Sequence, residues 1–215
     1  MELTVLGATG GTGRELVRQA LERGHTVRAV ARDPSRLPAD LRLPADPRLP
    51  ADRRLVPVAA DVLDPAAVAR ALEGAEVVLS GLGIAAGEAP GVLSAGARAA
   101  AAAGARIIWL AALGTGPSAP VAGALTRALL GTFMRRELPD RVAATQAVLA
   151  AGGTVLHAGP LTDGPLAPRR RTVALPDVPR RLFPARVSRA TVAAAMLDEA
   201  ESPHHAGRPA AVLAR

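Results

Sequence analysis

The chain has 215 residues, 49% of them hydrophobic, and a formal net charge of +7. It contains no cysteine, no tyrosine and no lysine, so all 26 basic residues are arginines. These absences exclude disulfides, thiolate catalysis, cysteine-bound metals, a lysine Schiff base and a tyrosine that acts as a general acid.

Short apolar runs alternate with helical patterns along the whole chain. The runs predict strands at residues 3–7, 25–32, 54–61, 75–83, 105–114 and 153–159. The helical patterns cover residues 13–24, 65–74, 91–104, 121–151 and 188–201. This alternation is typical of βαβ units, so we predict an α/β fold with a doubly wound, mainly parallel sheet and helices on both faces.

The first strand is followed by the glycine-rich stretch "GATGGTG", in which Gly7, Gly10 and Gly13 are three residues apart. Glycines at a strand-to-helix turn allow backbone N–H groups to approach a pyrophosphate closely, and the helix N-terminus adds partial positive charge. The spacing alone is a weak signal, but its position inside a βαβ unit predicts a dinucleotide site.

The second strand ends in Arg32 and Asp33, and Arg36 follows closely. Guanidinium groups match the oxygens of a phosphate, so Arg32 and Arg36 favour the 2′-phosphate of NADP(H) over NAD(H). We interpret Asp33 as the residue that starts the turn "DPSR", because aspartate before proline commonly does so.

Residues 36–53 contain three copies of Arg-Leu-Pro-Ala-Asp at a six-residue period. Prolines at this spacing are incompatible with a helix interior or a central strand. The repeat therefore predicts an expanded, partly polyproline-like surface loop. A lid over the cofactor is the alternative.

The third and fourth predicted strands are each followed by a candidate cofactor segment. Asp61 and Val62 lie where an adenine would bind, although Asp61 would equally serve to cap the helix near Pro65. The stretch "SGLGI" contains Gly81, Leu82 and Gly83 and forms a second loop of close approach, suited to the ribose on the nicotinamide side.

Together these stretches resemble the atypical short-chain dehydrogenase/reductases, in particular the NAD(P)H-binding group of biliverdin-IXβ/flavin reductases and NmrA-like redox sensors. The matching stretches are "GATGGTG", "VARDPSRLP", "AADVLDPAAV", "LTDGPL" and "RVSRATVAAAML". The resemblance implies one Rossmann domain, NADP(H), and a small open substrate pocket beside the nicotinamide. It also implies that Arg32 holds the 2′-phosphate, that Asp61 and Val62 contact the adenine, and that the backbone near Leu161 meets the carboxamide. The residues that the resemblance assigns to the phosphates are Gly7, Thr9, Gly10, Gly11, Thr12 and Gly13.

The chain departs from that family at the positions that handle protons. The usual Tyr and Lys are absent, and Ala111 and Ala112 stand at the end of the fifth strand, where a serine is expected. A polar residue expected after the sixth strand falls on Pro160. Hydride transfer to an easily reduced acceptor depends more on geometry than on a side-chain acid, so these losses do not exclude a reductase.

Two residues are candidates for a catalytic role. His157 is the one ionisable residue near the expected active edge, and it is alternatively a buried histidine with a satisfied hydrogen bond. Thr115 is alternatively a capping or turn residue. Ser118 and Asp163 are further polar candidates in the surrounding loops, and Asp163 is interpreted as ordering the turn "TDGP".

Other side chains allow two interpretations. Phe133 and Met134 either roof a pocket for a flat substrate or pack in the core, and Trp109 is expected in the core. The arginines at 135–136 and 169–171 either attract an anionic substrate or are solvated. The histidines at 204–205 have no ligand partner at metal-binding spacing, so we expect an exposed loop and no metal.

The arginines are scattered, and the densest run, 169–171, has no interleaved aromatic residues on which bases would stack, so we expect no nucleic-acid partner. No basic leader and no run of about 18 uncharged apolar residues occur, which predicts a cytoplasmic protein without membrane contact. The length fits one domain over residues 1–215, which we expect to be a monomer or a small homo-oligomer.

The sequence thus favours an NADPH-dependent reductase of a small, flat, easily reduced molecule such as a flavin, a quinone or a tetrapyrrole-like compound. A non-catalytic NADP(H)-binding sensor is the alternative, favoured by the missing Tyr, Lys and Ser. A biosynthetic enzyme on the same scaffold is a third possibility.

Overall fold

A computed structural model describes residues 1–42, 54–84 and 90–214. Ten strands occur in it: β1 (Glu2–Leu6), β2 (Thr26–Ala31), β3 (Leu55–Ala59), β4 (Val77–Ser80), β5 (Arg106–Ala112), β6 (Thr154–Ala158), β7 (Leu161–Thr162), β8 (Arg170–Ala174), β9 (Val187–Ser188) and β10 (Pro209–Ala214). Eight of them form one sheet in the order β3-β2-β1-β4-β5-β6-β10-β8, and β7 pairs with β9 separately. All neighbours in the large sheet are parallel except β8 and β10.

The helices cover both faces of this sheet, as the sequence predicts. They are α1 (Gly11–Glu22), α2 (Ala39–Arg42), α3 (Pro65–Leu72), α4 (Val92–Ala102), α5 (Ala124–Phe133), α6 (Leu138–Ala150) and α7 (Arg189–Glu201). Helices α1 and α7 pack together over one face, and α4 packs against α6 and α3 over the other. The predicted doubly wound α/β fold is therefore confirmed.

The central strands are apolar on both sides because helices cover both faces. In β1, Leu3 and Val5 face the α1/α7 layer, whereas Leu6 faces the α3/α4 layer. Trp109 of β5 is 2% exposed and lies in the second of these layers, which confirms its core position. Helix α7 is buried almost all round, and its alanines allow close packing against α1.

Three details differ from the sequence prediction. The helical pattern over 121–151 forms two helices, α5 and α6, and Pro139 lies in the first turn of α6, where proline is tolerated. Strands β8 and β10 are not predicted, because β8 is rich in arginine and β10 is rich in alanine and begins with proline.

The third difference concerns the predicted loop over residues 36–53. Its first part, together with the two preceding residues, forms a 3-10 turn at Pro34–Arg36 and then the single turn of α2, with Leu37 between them in a polyproline-like conformation. Residues 43–53, which contain the other repeat copies, lie outside the described residues. Among the helices that the structure describes, none is long and apolar enough to cross a bilayer.

Candidate functional site

A cleft with a volume of about 760 Å³ lies at the carboxyl ends of the parallel strands. Its position is the point where the strand order reverses, because β2 and β3 lie on one side of β1 and β4 to β6 on the other. The segments that follow β1, β2, β3, β4, β5 and β6 all contribute residues to its walls. Parallel topology thus brings six segments that are distant in sequence to one site.

The glycine-rich loop after β1 forms one end of this cleft. Gly7 has a φ of +73°, a left-handed conformation that glycine adopts without strain. The backbone N–H groups of Gly7 and Ala8 both donate to the carbonyl of Val30, at 3.1 Å, and Gly10 N–H donates to the carbonyl of Gly7, at 3.0 Å. The loop is therefore held against β2 with its shape set by backbone bonds.

Gly13 allows helix α1 to begin directly against that loop. A Cβ on Gly13 would lie 2.0 Å from the carbonyl oxygen of Gly7, and a Cβ on Gly81 would lie 2.9 Å from the Gly13 nitrogen. The three glycines therefore form a close contact between the glycine loop, α1 and the end of β4. Gly13 lies behind the loop and is not part of the cleft wall.

The N-terminus of α1 opens into the cleft without a protein cap. No side chain caps the helix, its first turn contains no acidic residue, and its first backbone bond runs from Arg14 N–H to the carbonyl of Gly10, at 2.9 Å. The N–H groups before Arg14 therefore have no intrahelical acceptor. Together with the helix dipole they favour an anion at this end of the cleft.

Arg189, the first residue of α7, covers the same helix start. Its Cδ lies 2.7 Å from the place of a Cβ on Gly11, and its Nη1 donates to Oδ1 of Asp163 at 2.6 Å. The Asp163 side chain is 90% exposed. The contact that the structure shows for the Asp163 side chain is therefore this ion pair with Arg189 and not a bond within its own turn. Arg189 is not predictable as a site residue from the sequence, because helical periodicity does not indicate which residue of α7 reaches the cleft.

Arg32 and Arg36 line the opposite end of the cleft, together with Asp61 and Val62. Asp33 is not part of the wall: its carboxylate accepts hydrogen bonds from the Ser35 hydroxyl, at 2.5 Å, and from the Ser35 N–H, at 3.0 Å. These bonds hold the pKa of Asp33 below its usual range, and the bond from the hydroxyl has the larger effect. Asp33 thus starts the turn at Pro34–Arg36, as predicted, and leaves this end of the cleft to the arginines.

Asp61 does not cap the following helix, so that alternative interpretation is wrong. Its carboxylate accepts from the N–H of Leu63 at 2.9 Å, which closes a short turn. Asp64 caps α3 instead, because its carboxylate accepts from the N–H groups of Ala66 and Ala67, both at 3.0 Å. Asp61 remains in the cleft wall.

The remaining predicted cofactor residues reach the same cleft. Those that line it are Gly7, Thr9, Gly10, Gly11, Thr12, Arg32, Arg36, Asp61, Val62, Gly81, Leu82, Gly83 and Leu161. Leu161 begins β7, which pairs with β9 through Val187.

The half of the cleft beyond β5 and β6 is apolar. Its wall includes Leu110, Leu113, Leu129, Leu130, Phe133, Met134, Phe183 and Pro184. Phe133 is 81% exposed and Phe183 is 50% exposed, so both rings lie at the rim rather than in the core. For Phe133 and Met134 the pocket interpretation holds, and core packing is wrong for Phe133.

The apolar half has few polar side chains in the part of the chain that the structure describes. Ala111, Ala112 and Pro160 line it at the positions where hydroxyl or polar groups were expected. Thr126 donates from its hydroxyl to the carbonyl of Leu182 at 3.1 Å. Arg141, which sequence analysis missed, also lines the cleft and pairs with Glu137 at 2.8 Å, one helical turn before it.

His157 and Thr115 are not among the residues that line the cleft. His157 is fully buried, and its Nδ1–H donates to the carbonyl of Ala112 at 3.2 Å and lies 3.0 Å from Oγ of Ser118. Burial lowers the pKa of His157 to about 4. Thr115 is 1% exposed and donates from its hydroxyl to the same Ala112 carbonyl at 2.8 Å. This geometry supports the structural interpretations of both residues.

A sequence model of the NAD(P)H-binding family matches residues 7–203. The chain belongs to this family. The match covers the glycine loop and the seven described helices, and it supports a nicotinamide dinucleotide as the cofactor. Membership confirms the predicted resemblance. No curated protein sequence matches the chain at a significant level.

Solved structures of similar fold include several Rossmann proteins. ChuY, an anaerobilin reductase from Escherichia coli O157:H7, has 21% identity and a TM-score of 0.74, with 100% of this chain and 97% of that chain covered. A short-chain dehydrogenase/reductase from Veillonella parvula in complex with NADP has 18% identity and a TM-score of 0.76, with 98% and 93% covered. The oxidoreductase ylbE from Lactococcus lactis has 18% identity and a TM-score of 0.75, with 100% and 91% covered. These identities establish the shared fold alone.

Proposed function

We propose that this protein is an NADPH-dependent reductase that delivers hydride to a small, flat, easily reduced molecule such as a flavin, a quinone or a tetrapyrrole-like compound. The proposal rests on the observation that one cleft contains two different halves. One half is a cradle for phosphates, and the other is an apolar chamber of the kind that takes a planar ligand.

The cradle fits a dinucleotide by its own geometry. The close contact of Gly13 with Gly7 leaves no room for a Cβ, and the uncapped start of α1 directs N–H groups at a pyrophosphate. Arg189 would add a guanidinium beside it, while Arg32 and Arg36 would hold the 2′-phosphate, which favours NADP(H) over NAD(H). A bound NADPH supplies a hydride.

The residues of the apolar half would orient the acceptor and exclude water. Phe133 and Phe183 at the rim offer faces against which a planar ring packs. Arg141 bonds to Glu137 through Nε and Nη2, and its Nη1 would donate to an acceptor that becomes negative, which stabilises the developing charge. The proton that completes the reduction would come from water, because no histidine, aspartate or glutamate lines this half among the described residues.

The experiment is NADPH oxidation followed at 340 nm with FMN and with 2-methyl-1,4-naphthoquinone as acceptors. We expect turnover with at least one acceptor and a fall in kcat of about 10- to 100-fold for Arg141→Gln, the size of one lost electrostatic contact in the transition state. Arg135→Gln is the matched control, because Arg135 is exposed, lies six residues before Arg141 and is not part of the cleft wall. NADPH binding without oxidation of either acceptor would overturn the reductase and favour the sensor.

A further inference from the structure

A second pocket lies beside the cleft, at the same edge of the sheet. Its volume is about 250 Å³, and three residues, Leu113, Gly159 and Pro184, line both cavities. We name it the arginine pocket, after the four arginines in its wall: Arg169, Arg170, Arg171 and Arg181. No acidic residue lines it among the residues that the structure describes.

The arginines do not all have acidic partners. Arg170 is paired with Asp198 of α7, with Nη2 and Oδ2 2.9 Å apart. Arg169, Arg171 and Arg181 form no ion pair with any residue in the described ranges 1–42, 54–84 and 90–214. Three exposed cations around one cavity whose described wall holds no acidic residue create a positive potential there, which attracts an anion.

Arg171 and Arg170, which is paired with Asp198, point to opposite faces of β8. Side chains alternate along a strand, so Arg171 shares its face of β8 with Val173, while Arg170 points to the other face, toward α7. Val173 packs against Val178 and Ala211. The stem of Arg171 therefore lies on the apolar side of the sheet, beside the floor of the pocket.

The rest of the wall is apolar. It includes Val121, Ala122, Val178, Val187, Val212 and Leu213. A cavity with apolar walls and a guanidinium rim matches a carboxylate on a short hydrocarbon arm, because guanidinium forks pair with carboxylates and the walls cover the hydrocarbon. At about 250 Å³ it is smaller than a typical pocket for a whole ligand, so it suits part of a larger molecule.

We propose that the arginine pocket binds a carboxylate-bearing arm of the acceptor whose flat body occupies the apolar half of the cleft. Leu113, Gly159 and Pro184 line both cavities, so the two adjoin at these residues and the arm would cross there. The inference rests on the proposed function and narrows it: the substrate is a planar acceptor that carries an anionic side arm.

The test compares the binding of two acceptors that share one ring system and differ in whether the arm ends in a charged carboxylate or a neutral ester, and it requires no turnover. The probes are 2-methyl-1,4-naphthoquinone with a propanoate arm at position 3 and the methyl ester of the same compound. Their dissociation constants are measured by calorimetry on protein saturated with NADP⁺, which does not reduce them. We expect the acid to bind about tenfold more tightly than the ester, the effect of one charge-assisted contact.

The double variant Arg171→Gln/Arg181→Gln locates the effect. Both side chains are exposed, so the variant is expected to fold, which its thermal transition checks. The preference for the acid is expected to disappear in this variant and to persist in Arg180→Gln, which removes an exposed neighbouring charge outside both cavities.

Several results would overturn the inference. Equal affinity for the acid and the ester would overturn it, and so would a preference for the acid that persists in the double variant. Neither result would contradict the proposed reductase activity. If heptanoate binds to the arginine pocket while the ester is also bound, the pocket holds a separate ligand and not an arm of the acceptor. A failure of both quinones to bind would contradict the proposed class of acceptor. The oxidation assay with FMN tests the reductase activity independently.

Discussion

At the scale of single residues, His157 shows how a titratable group near the active edge serves the fold. Its Nδ1–H reaches the carbonyl of Ala112 at the end of β5, and Thr115 and Ser118 bond to the same segment. Its Nε2 has no hydrogen-bond partner among the described residues. A protonated ring here would place a charge in the interior, which is the reason for the lowered pKa.

This burial predicts a pH dependence of stability. The pKa of His157 falls from 6.5 in the unfolded chain to about 4 in the folded protein. Between these values the unfolded chain binds more protons, so the free energy of unfolding is highest above pH 6.5 and decreases as the pH falls toward 4. The loss is about 3 kcal/mol over the window. Urea denaturation at pH 7.5 and at pH 4.5 measures it.

His157→Gln is the control, since an amide keeps a hydrogen-bonding group without the titration. The variant is expected to be less stable at neutral pH and to lose less stability than the wild type as the pH falls. An identical pH dependence in both proteins would mean that His157 is not the group responsible.

At the scale of elements, the start of α1 depends on how closely it approaches the loop before it. Gly13→Ala would place a Cβ against the Gly7 carbonyl, a backbone atom that has no room to move. We expect the free energy of unfolding to fall by about 1–3 kcal/mol, the usual cost of overpacking, and NADPH affinity to fall with it. Thermal unfolding and calorimetric titration measure the two effects.

Gly11→Ala is the matched control on the same helix. Its Cβ would meet the side chain of Arg189, which is flexible, and alanine is a better helix former than glycine. This variant is expected to be as stable as the wild type. Equal destabilisation by the two substitutions would contradict the account of the close contact.

The elements also show what sequence patterns contain and what they lack. The six parallel strands and the helices between them are predictable, because buried parallel strands are continuous apolar runs with helical patterns between them. Strands β8 and β10 lack that signal: β10 is mostly alanine, and β8 is half covered and begins with Arg170 and Arg171. Their pairing depends on tertiary contacts that composition does not encode.

At the scale of the whole molecule, the site follows from the topology more than from any motif. Residues that follow parallel strands, such as Arg32, Asp61 and Gly81, are predictable as residues of the cleft because those strand ends meet at one edge. Arg141 and Arg189 were missed, because they come from helices, and the side of a helix that reaches a cleft depends on packing.

The fold also groups arginines that are distant from one another in the sequence. The arginines look scattered in the sequence, but the carboxyl edge of the sheet collects one group in the cleft and another in the arginine pocket. Such a concentration of charge attracts anionic ligands and strengthens their binding at low ionic strength. Residues 169–171 line a cavity, and Arg169 and Arg171 are at the same time exposed to solvent.

The most direct test of the account is calorimetric titration of the wild type and of Arg32→Ala with NADPH and with NADH. We expect NADPH to bind more tightly, and Arg32→Ala to weaken NADPH about 10- to 100-fold and NADH less than about twofold, because only NADPH carries the 2′-phosphate. Arg180→Ala, with an exposed arginine outside the cleft, is the control. Equal losses for both cofactors, or none, would contradict the placement of the 2′-phosphate at Arg32.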